Sequence, residues 1–402
     1  VGPGRRRRTP MTAMSPERPA TVATDVLVIG AGLAGLHTAT LLARHGHEVT
    51  LVDRRTDLTA SVRTTGIFVR RTLDDFALPD DCLGPPIRHV LLYPPSLRRP
   101  VALTSDRDEY RVADMPGLYA AMARRAEHAG VRLVLGHRFA GRDTGYLLVG
   151  PHGSRIRVRA RFLVGADGAR SPVARSLDLD RNEHLLVGAE EVHSLDPATR
   201  SAGATTPAFH CVLDPRRAPG YLAWVVDDGR HVHVGTAGYP SEFRDGLRQA
   251  VRELARSAPG LPPLPDADPE LRGGPIPVGG LLRRIACPDG LLVGDAAGAV
   301  SPLTAGGLDP CLRLSAHAAD LLHAALTQDR RDVLAHYDGA ALRRRFRGRV
   351  ALRRATARVR SPLLTEAGFA LLRTAPGRAA ARRIMFEDQS FPLASPVPST
   401  AG

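Results

Sequence analysis

The stretch from Asp25 to Asp53 constrains the fold of this chain more than any other. An apolar run of strand length leads directly into the turn Gly30-Ala31-Gly32-Leu33-Ala34-Gly35. Apolar residues then recur at helical spacing up to Gly46, and a second short apolar strand, residues 49–52, ends at Asp53. This order predicts a βαβ unit with a carboxylate after its second strand.

Each glycine of this turn has a distinct expected role in binding a dinucleotide. Gly30 permits the tight turn, Gly32 lets the backbone approach a pyrophosphate, and Gly35 lets the helix pack against the strand. The helix N-terminus offers unpaired N–H groups to the phosphates. Asp53 lies at the distance expected for a carboxylate that accepts from a ribose hydroxyl, and its charge disfavours an NADP 2′-phosphate. NAD or FAD remains.

Composition sets broader limits. The 402 residues are enough for two or three domains, and 43% are hydrophobic, as in a globular protein. All 55 basic residues are arginine, and the net charge of +14 would favour anionic lipid, acidic substrates or nucleic acid. The four cysteines are widely separated, which predicts reduced thiols and a cytoplasmic protein. No histidine or cysteine spacing indicates a metal site.

Three later turns also combine glycine with small or acidic residues. Thr65-Gly66 lies in a short loop that either approaches a cofactor or is an ordinary connection. Asp167-Gly168 follows an apolar strand, where the aspartate either caps the turn or accepts from a ribose. Gly294-Asp295 follows a third apolar strand, and Gly307-Leu308 then opens a helix that runs to about residue 326. The last arrangement suits a phosphate or flavin edge that rests on backbone amides.

Taken together, these motifs resemble the flavoprotein superfamily with the p-hydroxybenzoate hydroxylase fold. The glycine turn at 30–35, the Asp-Gly motif at 165–175 and the Gly-Asp motif at 294–302 occur in the family's order. The resemblance covers roughly residues 25–330 and implies that the bound nucleotide is FAD. It also implies that the Asp-Gly motif contacts FAD and serves NAD(P)H as the reductant.

The same resemblance assigns expected contacts to individual residues. Ala34 would approach the pyrophosphate, and Asp295 would hold the ribityl chain. Gly307 and Leu308 would lie near the isoalloxazine ring. The candidate cofactor-binding residues are therefore Gly30, Gly32, Ala34, Gly35, Asp53, Thr65, Gly66, Asp167, Gly168, Gly294, Asp295, Gly307 and Leu308.

Within the superfamily, the chain looks most like the geranylgeranyl reductase branch. Residues 273–281, 290–308 and 224–235 are similar to segments of that branch. The sequence departs from it where Val226-Asp227-Asp228 replaces the usual Phe-Pro-Lys and where Ala305 replaces the first of three glycines. Met115 also stands where the family has a cofactor-contacting arginine, and the nearby Arg111 is displaced from that position. These departures leave FAD binding intact, but reduction of prenyl double bonds does not follow from the motifs.

The predicted fold class is α/β: a Rossmann-like FAD-binding domain, with a parallel sheet and helices, an inserted antiparallel β-sheet substrate domain and a helical C-terminal segment. The expected boundaries are a disordered arm at 1–24, FAD-binding parts at 25–78, 111–180 and 276–328, a substrate-side insert at 79–110, the substrate sheet at 181–275, and a helical basic region at 329–402.

Three functions are compatible with these motifs. The first is an FAD-dependent oxidoreductase that moves a hydride between NAD(P)H, flavin and the C=C bond of a hydrophobic organic substrate. The second is a flavin monooxygenase that hydroxylates an aromatic or polyketide-like substrate, because the same fold serves both. The third is a basic nucleic-acid-binding protein, which the aromatic content of 4% and the absence of a nucleic-acid motif disfavour. A solvated arginine-rich face, or one that rests on an anionic membrane holding a lipid substrate, fits better.

Candidates on the substrate side come from the strand-rich region. Trp224 would line an apolar pocket, although an aromatic residue on a strand is more often part of the core. Tyr221 and His233 are candidate proton donors, since reduction of a double bond consumes a proton. A histidine that alternates with apolar residues on a strand usually faces solvent, so His233 is expected on the surface.

Overall fold

The computed structural model describes residues 20–195, 207–243, 245–260, 264 and 268–386. Its strands are β1 (Ala20–Ile29), β2 (Val49–Val52), β3 (Ile67–Val69), β4 (His89–Tyr93), β5 (Val101–Thr104), β6 (Tyr110–Val112), β7 (Arg132–Val134), β8 (Arg138–Arg142), β9 (Tyr146–Val149), β10 (Arg155–Gly165), β11 (Leu185–Ser194), β12 (Ala208–Val212), β13 (Ala223–Asp227), β14 (His231–Gly238), β15 (Glu270–Pro277), β16 (Ala286–Cys287) and β17 (Gly290–Leu292). Its α-helices are α1 (Leu33–Arg44), α2 (Arg70–Asp75), α3 (Met115–His128), α4 (Pro172–Ser176), α5 (Leu247–Ser257), α6 (Leu308–Thr327), α7 (Ala340–Thr356), α8 (Pro362–Leu372) and α9 (Ala375–Phe386).

The predicted segments at the two chain ends, 1–24 and 329–402, lie partly outside the described residues. Residues 1–19 of the predicted arm and the C-terminal residues 387–402 lie outside the described residues. Residues 20–24, which were assigned to the arm, form the start of β1 and pair with β10.

The first sheet is the predicted Rossmann-like core. Its strand order is β16-β17-β10-β1-β2-β7, and β9 and β8 extend it from β10. The pairs β1–β10, β1–β2, β10–β17 and β2–β7 are all parallel. All four residues of β2 and all three of β17 are buried, as expected for strands covered on both faces. Helix α1 packs against α3 and α6, which closes the core around these strands.

The second sheet is the predicted substrate sheet, with the order β15-β11-β14-β13-β12-β4-β5. Its neighbours pair antiparallel except for β12 and β4, which are parallel. Helix α5 covers one face through Leu254, which shares a core cluster with Val225 and Val234. The opposite face packs against the β3–β6 ribbon, because Ile67 and Tyr110 share a cluster with Val226. The ribbon therefore lies on the face of the sheet that bears Trp224.

One stretch differs from the sequence-based expectation. Residues 259–277 read as a proline-rich connection, yet Glu270–Pro277 form β15. This strand lies at the edge of the second sheet and pairs only with β11 among the described strands. An edge strand tolerates prolines such as Pro275 because it needs ladder hydrogen bonds on one side only.

The arginine-rich C-terminal segment is helical, as predicted, and α7 turns part of its charge inward. Arg353 is 5% exposed, and its Nη2 donates to the carbonyl oxygen of Gly220 at 3.0 Å. Its guanidinium lies over the rings of Tyr221 and Tyr239 at 5.6 and 5.9 Å. Through these contacts, α7 holds the loop before β13 in place. Among the described helices, none has the length and hydropathy needed to span a bilayer.

The first prediction concerns Gly35, where the helix meets the turn. A Cβ at this position would lie 1.8 Å from the carbonyl oxygen of Gly30, which is backbone and cannot move aside cheaply. We expect Gly35→Ala to lower the free energy of unfolding by about 1–3 kcal/mol, measured by urea denaturation followed by circular dichroism. The control is Gly348→Ala in α7, where no atom lies within 4 Å of the added methyl group. That change should leave stability equal or slightly higher, and a stable Gly35→Ala would contradict the packing role of the glycine.

Candidate functional site

The three glycine turns meet at one edge of the first sheet, where β1, β10 and β17 end side by side. A Cβ on Gly30 would lie 2.2 Å from the carbonyl oxygen of Ala166. The Ala166 N–H donates to Ile29 at 2.8 Å, which locks the first two turns together. A Cβ on Gly294 would lie 2.9 Å from the Cβ of Ala34, so the third turn touches the first. The structure therefore brings all three predicted motifs into contact.

The start of α1 is open, as a phosphate site requires. Gly32 precedes the helix with φ of −79°, and no atom lies within 4 Å of a Cβ built on it. No side chain in the described structure caps this end, and the first turn carries no acidic residue. The first N–H groups of α1 therefore have no capping side chain, and the positive end of the helix dipole lies at this end of the helix.

Asp53 lies beside this opening, and its carboxylate is engaged. Oδ2 accepts from the N–H of Ala31 at 2.7 Å, and the guanidinium of Arg55 binds both carboxylate oxygens at 3.1 Å. Burial would raise the pKa of Asp53, but the hydrogen bonds and charge of Arg55 outweigh it and hold the pKa below its usual range. Ribose hydroxyls would have to displace Arg55 to reach this carboxylate. Nothing in the sequence motif had singled out this arginine.

Two other predicted acids have unused hydrogen-bonding capacity. Oδ2 of Asp167 accepts from the Val173 N–H at 3.0 Å, while Oδ1 is buried with no hydrogen-bond partner. Burial raises the pKa of Asp167. The carboxylate of Asp295 has no hydrogen-bond partner among the described residues, and burial raises its pKa to about 6. Buried polar atoms are normally satisfied. These two carboxylates and the open Gly32 fit a ligand rich in hydroxyl and phosphate groups, as FAD is.

The loop before α6 carries the remaining cofactor-side candidates. Gly307 precedes α6, Leu308 begins it, and a Cβ on Gly307 would lie 3.6 Å from Oδ1 of Asp295. Ala305 adopts φ of +49°, a left-handed conformation that explains why glycine is usual there. The hydroxyl of Tyr221 donates to the carbonyl oxygen of Thr304 at 2.5 Å.

This contact bears on Tyr221 as a candidate proton donor. Its O–H is directed at a backbone carbonyl, and burial raises the pKa of the phenol well above its ordinary value. In this arrangement Tyr221 ties β13 to the loop before α6.

The Thr65-Gly66 loop connects the two sheets. Gly66 has φ of +87° and touches Met115, the residue near the position of the family's arginine. The Thr65 hydroxyl donates to Oε2 of Glu190 at 2.5 Å. Sequence reasoning missed Glu190, which is 3% exposed on β11. The available signal was a glutamate that alternates with Gly188 and Val192 on a face expected to be apolar.

Trp224 and His233 occupy the same face of the second sheet as Glu190. The indole of Trp224 lies over Gly235, and its Nε1 donates to Oε2 of Glu190 at 3.4 Å. The expectation that His233 faces solvent was wrong, since its side chain is 1% exposed. The register of β13 and β14 turns it inward, and Asp228 compensates its burial at 3.1 Å.

Three glycine turns meet at one edge of a parallel sheet, and a second, mainly antiparallel sheet contacts the loops beside them. This is the architecture of an FAD-dependent oxidoreductase. Residues 23–245 match the family model described as FAD binding domain. The matched segment is more than half of the chain, and this protein belongs to that family.

Individual relatives agree with this assignment. The chain is 32% identical over 321 residues to digeranylgeranylglycerophospholipid reductase 1 of Methanopyrus kandleri, covering 76% of this chain and 82% of the relative. It is 25% identical over 298 residues to digeranylgeranylglycerophospholipid reductase of Methanocaldococcus jannaschii, covering 71% and 73%.

Solved structures share the fold. A geranylgeranyl bacteriochlorophyll reductase-like protein of Thermoplasma acidophilum superposes with a TM-score of 0.77 at 19% identity, covering 92% of this chain and 98% of that one. A p-nitrophenol 4-monooxygenase of Pseudomonas putida DLL-E4 gives a TM-score of 0.64 at 21% identity, covering 91% and 93%. The resemblance to the p-hydroxybenzoate hydroxylase-type flavoproteins and the α/β fold class are confirmed.

The second prediction separates cofactor binding from folding at Gly32. Because a methyl group there meets no protein atom, Gly32→Ala should unfold at the same urea concentration as the wild type. The methyl group would instead occupy the space in front of α1, so we expect the dissociation constant for FAD to rise about tenfold or more, equivalent to about 1.4 kcal/mol. Flavin fluorescence titration of the stripped protein measures this change. Unchanged FAD affinity would show that the pyrophosphate lies elsewhere.

Proposed function

We propose that this protein is an FAD-dependent reductase that saturates C=C bonds of a hydrophobic, isoprenoid-type substrate, with NAD(P)H as the source of electrons. The observation that carries the proposal is the 32% identity to a digeranylgeranylglycerophospholipid reductase across 82% of its length. The monooxygenase among the structural neighbours shares only the fold with this chain, because its identity is 21%. Fold alone does not choose between the two chemistries.

The cofactor side of the proposal assigns each residue a part in holding FAD. Gly30, Gly35 and Gly168 shape the turns, while Gly32 and Ala34 leave room for the pyrophosphate at α1. Asp167 and Asp295 have free acceptor atoms for cofactor hydroxyls, and Asp53 joins them once Arg55 moves aside. Gly294, Gly307 and Leu308 bring backbone to the ring. Bound FAD supplies hydride transfer, and the protein binds, orients and excludes water.

The substrate side of the proposal rests on an apolar surface beside the Thr65-Gly66 loop. Trp224 is half-buried and shares a cluster with Ile67, Phe209 and Val226. An aromatic and aliphatic lining of this kind favours a hydrocarbon chain over a charged substrate. We assign Trp224 to the wall of the substrate pocket.

The third prediction tests the reaction directly. The purified flavoprotein is mixed without oxygen with NADH or NADPH and a geranylgeranyl lipid, and products are identified by mass spectrometry. We expect bleaching of the visible flavin band and a product heavier by two hydrogen atoms for each reduced double bond. A parallel incubation in air with p-nitrophenol tests hydroxylation. A product that gains one oxygen atom, with matching oxygen consumption, would replace the reductase by a monooxygenase.

We also propose that the protein, which we place in the cytoplasm, docks on an anionic membrane through α8. Leu363, Leu364 and Leu371 are 81, 66 and 71% exposed on this helix, an unusual amount of apolar surface for one short element. The opposite face is anchored, since Phe369 is 1% exposed and Glu366 accepts from the Ser96 hydroxyl at 3.1 Å.

Charge supports the choice of an anionic surface. Arg354 and Arg358 are exposed immediately before α8, and the chain carries a net charge of +14. Exposed leucines flanked by arginines are typical of a helix that lies in the interface of an anionic bilayer. Such docking would place the pocket near a lipid-borne substrate.

The fourth prediction tests docking by sedimentation with vesicles. The wild type should bind vesicles that contain phosphatidylglycerol, bind pure phosphatidylcholine vesicles less, and dissociate as salt rises. Leu363→Glu combined with Leu364→Glu should weaken binding at least about tenfold, because burying each leucine is worth about 1.5–3 kcal/mol. The matched control is Leu271→Glu. Leu271 is 51% exposed and lies on β15, which is one edge strand of the second sheet. Equal binding by the double variant would refute docking through α8.

A further inference from the structure

A row of alternating acidic and imidazole groups is buried on the face of the second sheet that carries Trp224. Nε2 of His233 lies 3.1 Å from Oδ2 of Asp228, and Nδ1 of the same ring lies 3.6 Å from Oε1 of Glu190. His233 is 1% exposed, Asp228 is 6% exposed and Glu190 is 3% exposed. We call Asp228, His233 and Glu190 the acid–imidazole array.

The outer end of the array reaches the protein surface. Asp228 lines an open cavity of about 250 Å³, together with Gly84, Arg111 and Arg230 among others. His231, which is partly exposed, also contacts Oδ2 of Asp228 through Nδ1 at 3.2 Å. A proton from solvent therefore has a short route to the Asp228 carboxylate.

The inner end of the array reaches the cofactor side. Oε2 of Glu190 accepts from the Thr65 hydroxyl at 2.5 Å and from the Trp224 indole at 3.4 Å. Thr65 lies in the loop between β2 and β3. Strand β2 is followed by Asp53, and β3 packs on α6, which begins at Leu308 directly after Gly307. The array thus ends where the nucleotide-binding unit and the apolar substrate wall meet.

One gap in the array carries information. Nδ1 of His233 and Oε1 of Glu190 are both buried, and neither has a hydrogen-bond partner. They face each other at 3.6 Å, a few tenths of an ångström beyond hydrogen-bond distance. Buried polar atoms left unpaired in this way require an explanation. A small shift would close the gap and allow a proton to pass between them.

The surrounding charges keep His233 protonated. Burial lowers the pKa of this imidazole, but the hydrogen bond to Asp228 and the negative charges of Asp228 and Glu190 outweigh burial and raise the pKa to about 9. Burial has the opposite effect on Glu190, whose pKa it raises. The charge of His233 and the hydrogen bond from Thr65 outweigh burial and hold the pKa of Glu190 below its usual range. Arg272, paired with Glu270 at 2.8 Å, adds a further positive charge near Glu190. At neutral pH, His233 is therefore an imidazolium between two carboxylates.

We propose that the acid–imidazole array is a proton relay from the surface cavity to the Thr65 hydroxyl, and that it supplies the proton consumed when a C=C bond is reduced. This inference rests on the proposed reductase function. Saturation of one C=C bond adds a hydride, supplied by FAD reduced at the expense of NAD(P)H, and one proton. His233 first passes its proton to Oε1 of the Glu190 carboxylate, which leaves a neutral imidazole and a neutral carboxylic acid. As the substrate carbon takes the hydroxyl proton of Thr65, the Glu190 acid group turns its proton to the Thr65 oxygen and becomes a carboxylate again. Solvent then reprotonates His233 through Asp228.

Strand β11, which carries Glu190, provides a matched control on its other face. Glu191 and His193 are 5 and 6% exposed, and Nε2 of His193 lies 3.3 Å from Oε2 of Glu191. This pair has the same chemistry and burial, but it lies on the face that α5 covers. Glu191→Gln and His193→Gln therefore alter a buried acid–imidazole contact without touching the relay.

The fifth prediction has a spectroscopic readout that does not need turnover. Trp224 is the only tryptophan of the chain, and its indole donates to Glu190. We expect its fluorescence in the purified flavoprotein to change through a single transition near pH 9, where His233 loses its proton. His233→Asn should abolish the transition, whereas His193→Gln should keep it. A wild-type protein with no transition between pH 7 and 10 would overturn the relay.

The kinetic arm separates proton delivery from hydride supply. With Glu190→Gln or His233→Asn, reduction of the substrate double bond should slow by about 100-fold or more, the usual contribution of a positioned acid. Anaerobic reduction of the flavin by NAD(P)H should keep its wild-type rate. Product formation by the wild type should also slow in deuterated water, with solvent deuterium incorporated at one carbon.

The outcomes distinguish the relay from a purely structural ion cluster. Variants that bind flavin and reduce the double bond at the wild-type rate would overturn the relay, as would equal slowing in Glu191→Gln. Asp228→Asn offers a third test: it should slow turnover at high pH, where resupply from solvent limits the rate. If the wild type reduces no C=C bond at all, the proposed function fails, and the fluorescence titration still reports whether the array holds its proton.

Discussion

The structure depends on one close backbone contact, that between the turn at Gly30 and the turn at Ala166. Parallel pairing of β1 and β10 aligns Ile29 with Gly165, so both strands end at the same level. The space between the two turns is too small for a Cβ, and a glycine at position 30 is therefore required. The Val293 N–H donates to the carbonyl oxygen of Gly165 at 2.9 Å, which adds the third turn to the same edge. Backbone geometry alone brings the three turns together and forms the cradle that we propose for the nucleotide.

The second sheet is attached to this cradle by polar contacts at its cofactor side. Thr65 donates to Glu190, Tyr221 donates to Thr304, and Arg353 donates to Gly220. Each contact satisfies a group in a poorly solvated position, where an unpaired donor or acceptor costs about 1–3 kcal/mol. Because these contacts involve the loops next to Asp295 and Gly66, the position of the proposed substrate wall is coupled to the loops that we propose for the cofactor.

The sequence was most informative where a local pattern determines the backbone. The βαβ unit, the three glycine turns and the strands at 185–191 and 231–237 follow from periodicity and turn chemistry within a few residues of each position. Non-local pairing was not readable in the same way. Residues 270–277 look like a connection until β11 is available as a partner, and Arg55 matters only because Asp53 lies against Ala31.

His233 shows the limit most clearly. Alternation along β14 predicts two faces, but it does not say which face a second unit will cover. The β3–β6 ribbon packs on the Trp224 face, and His233, which lies on that face, is 1% exposed rather than on the surface. Asp228 then becomes its partner, although the sequence showed it only as a departure from the family pattern. A residue that the sequence showed as a departure from the family pattern belongs to the acid–imidazole array in the structure.

Burial of charge on this face also indicates why the array differs from an ordinary ion pair. Replacing buried ion pairs by apolar residues is often neutral or stabilising, so burial alone does not explain their retention. The Glu191–His193 pair shows that this sheet also accepts an acid–imidazole contact beneath α5, with His193 Nε2 3.3 Å from Glu191 Oε2. The acid–imidazole array is open at both ends, to a surface cavity through Asp228 and to a cofactor loop through Thr65. Connection at both ends is what transport of a proton requires and what stability alone does not.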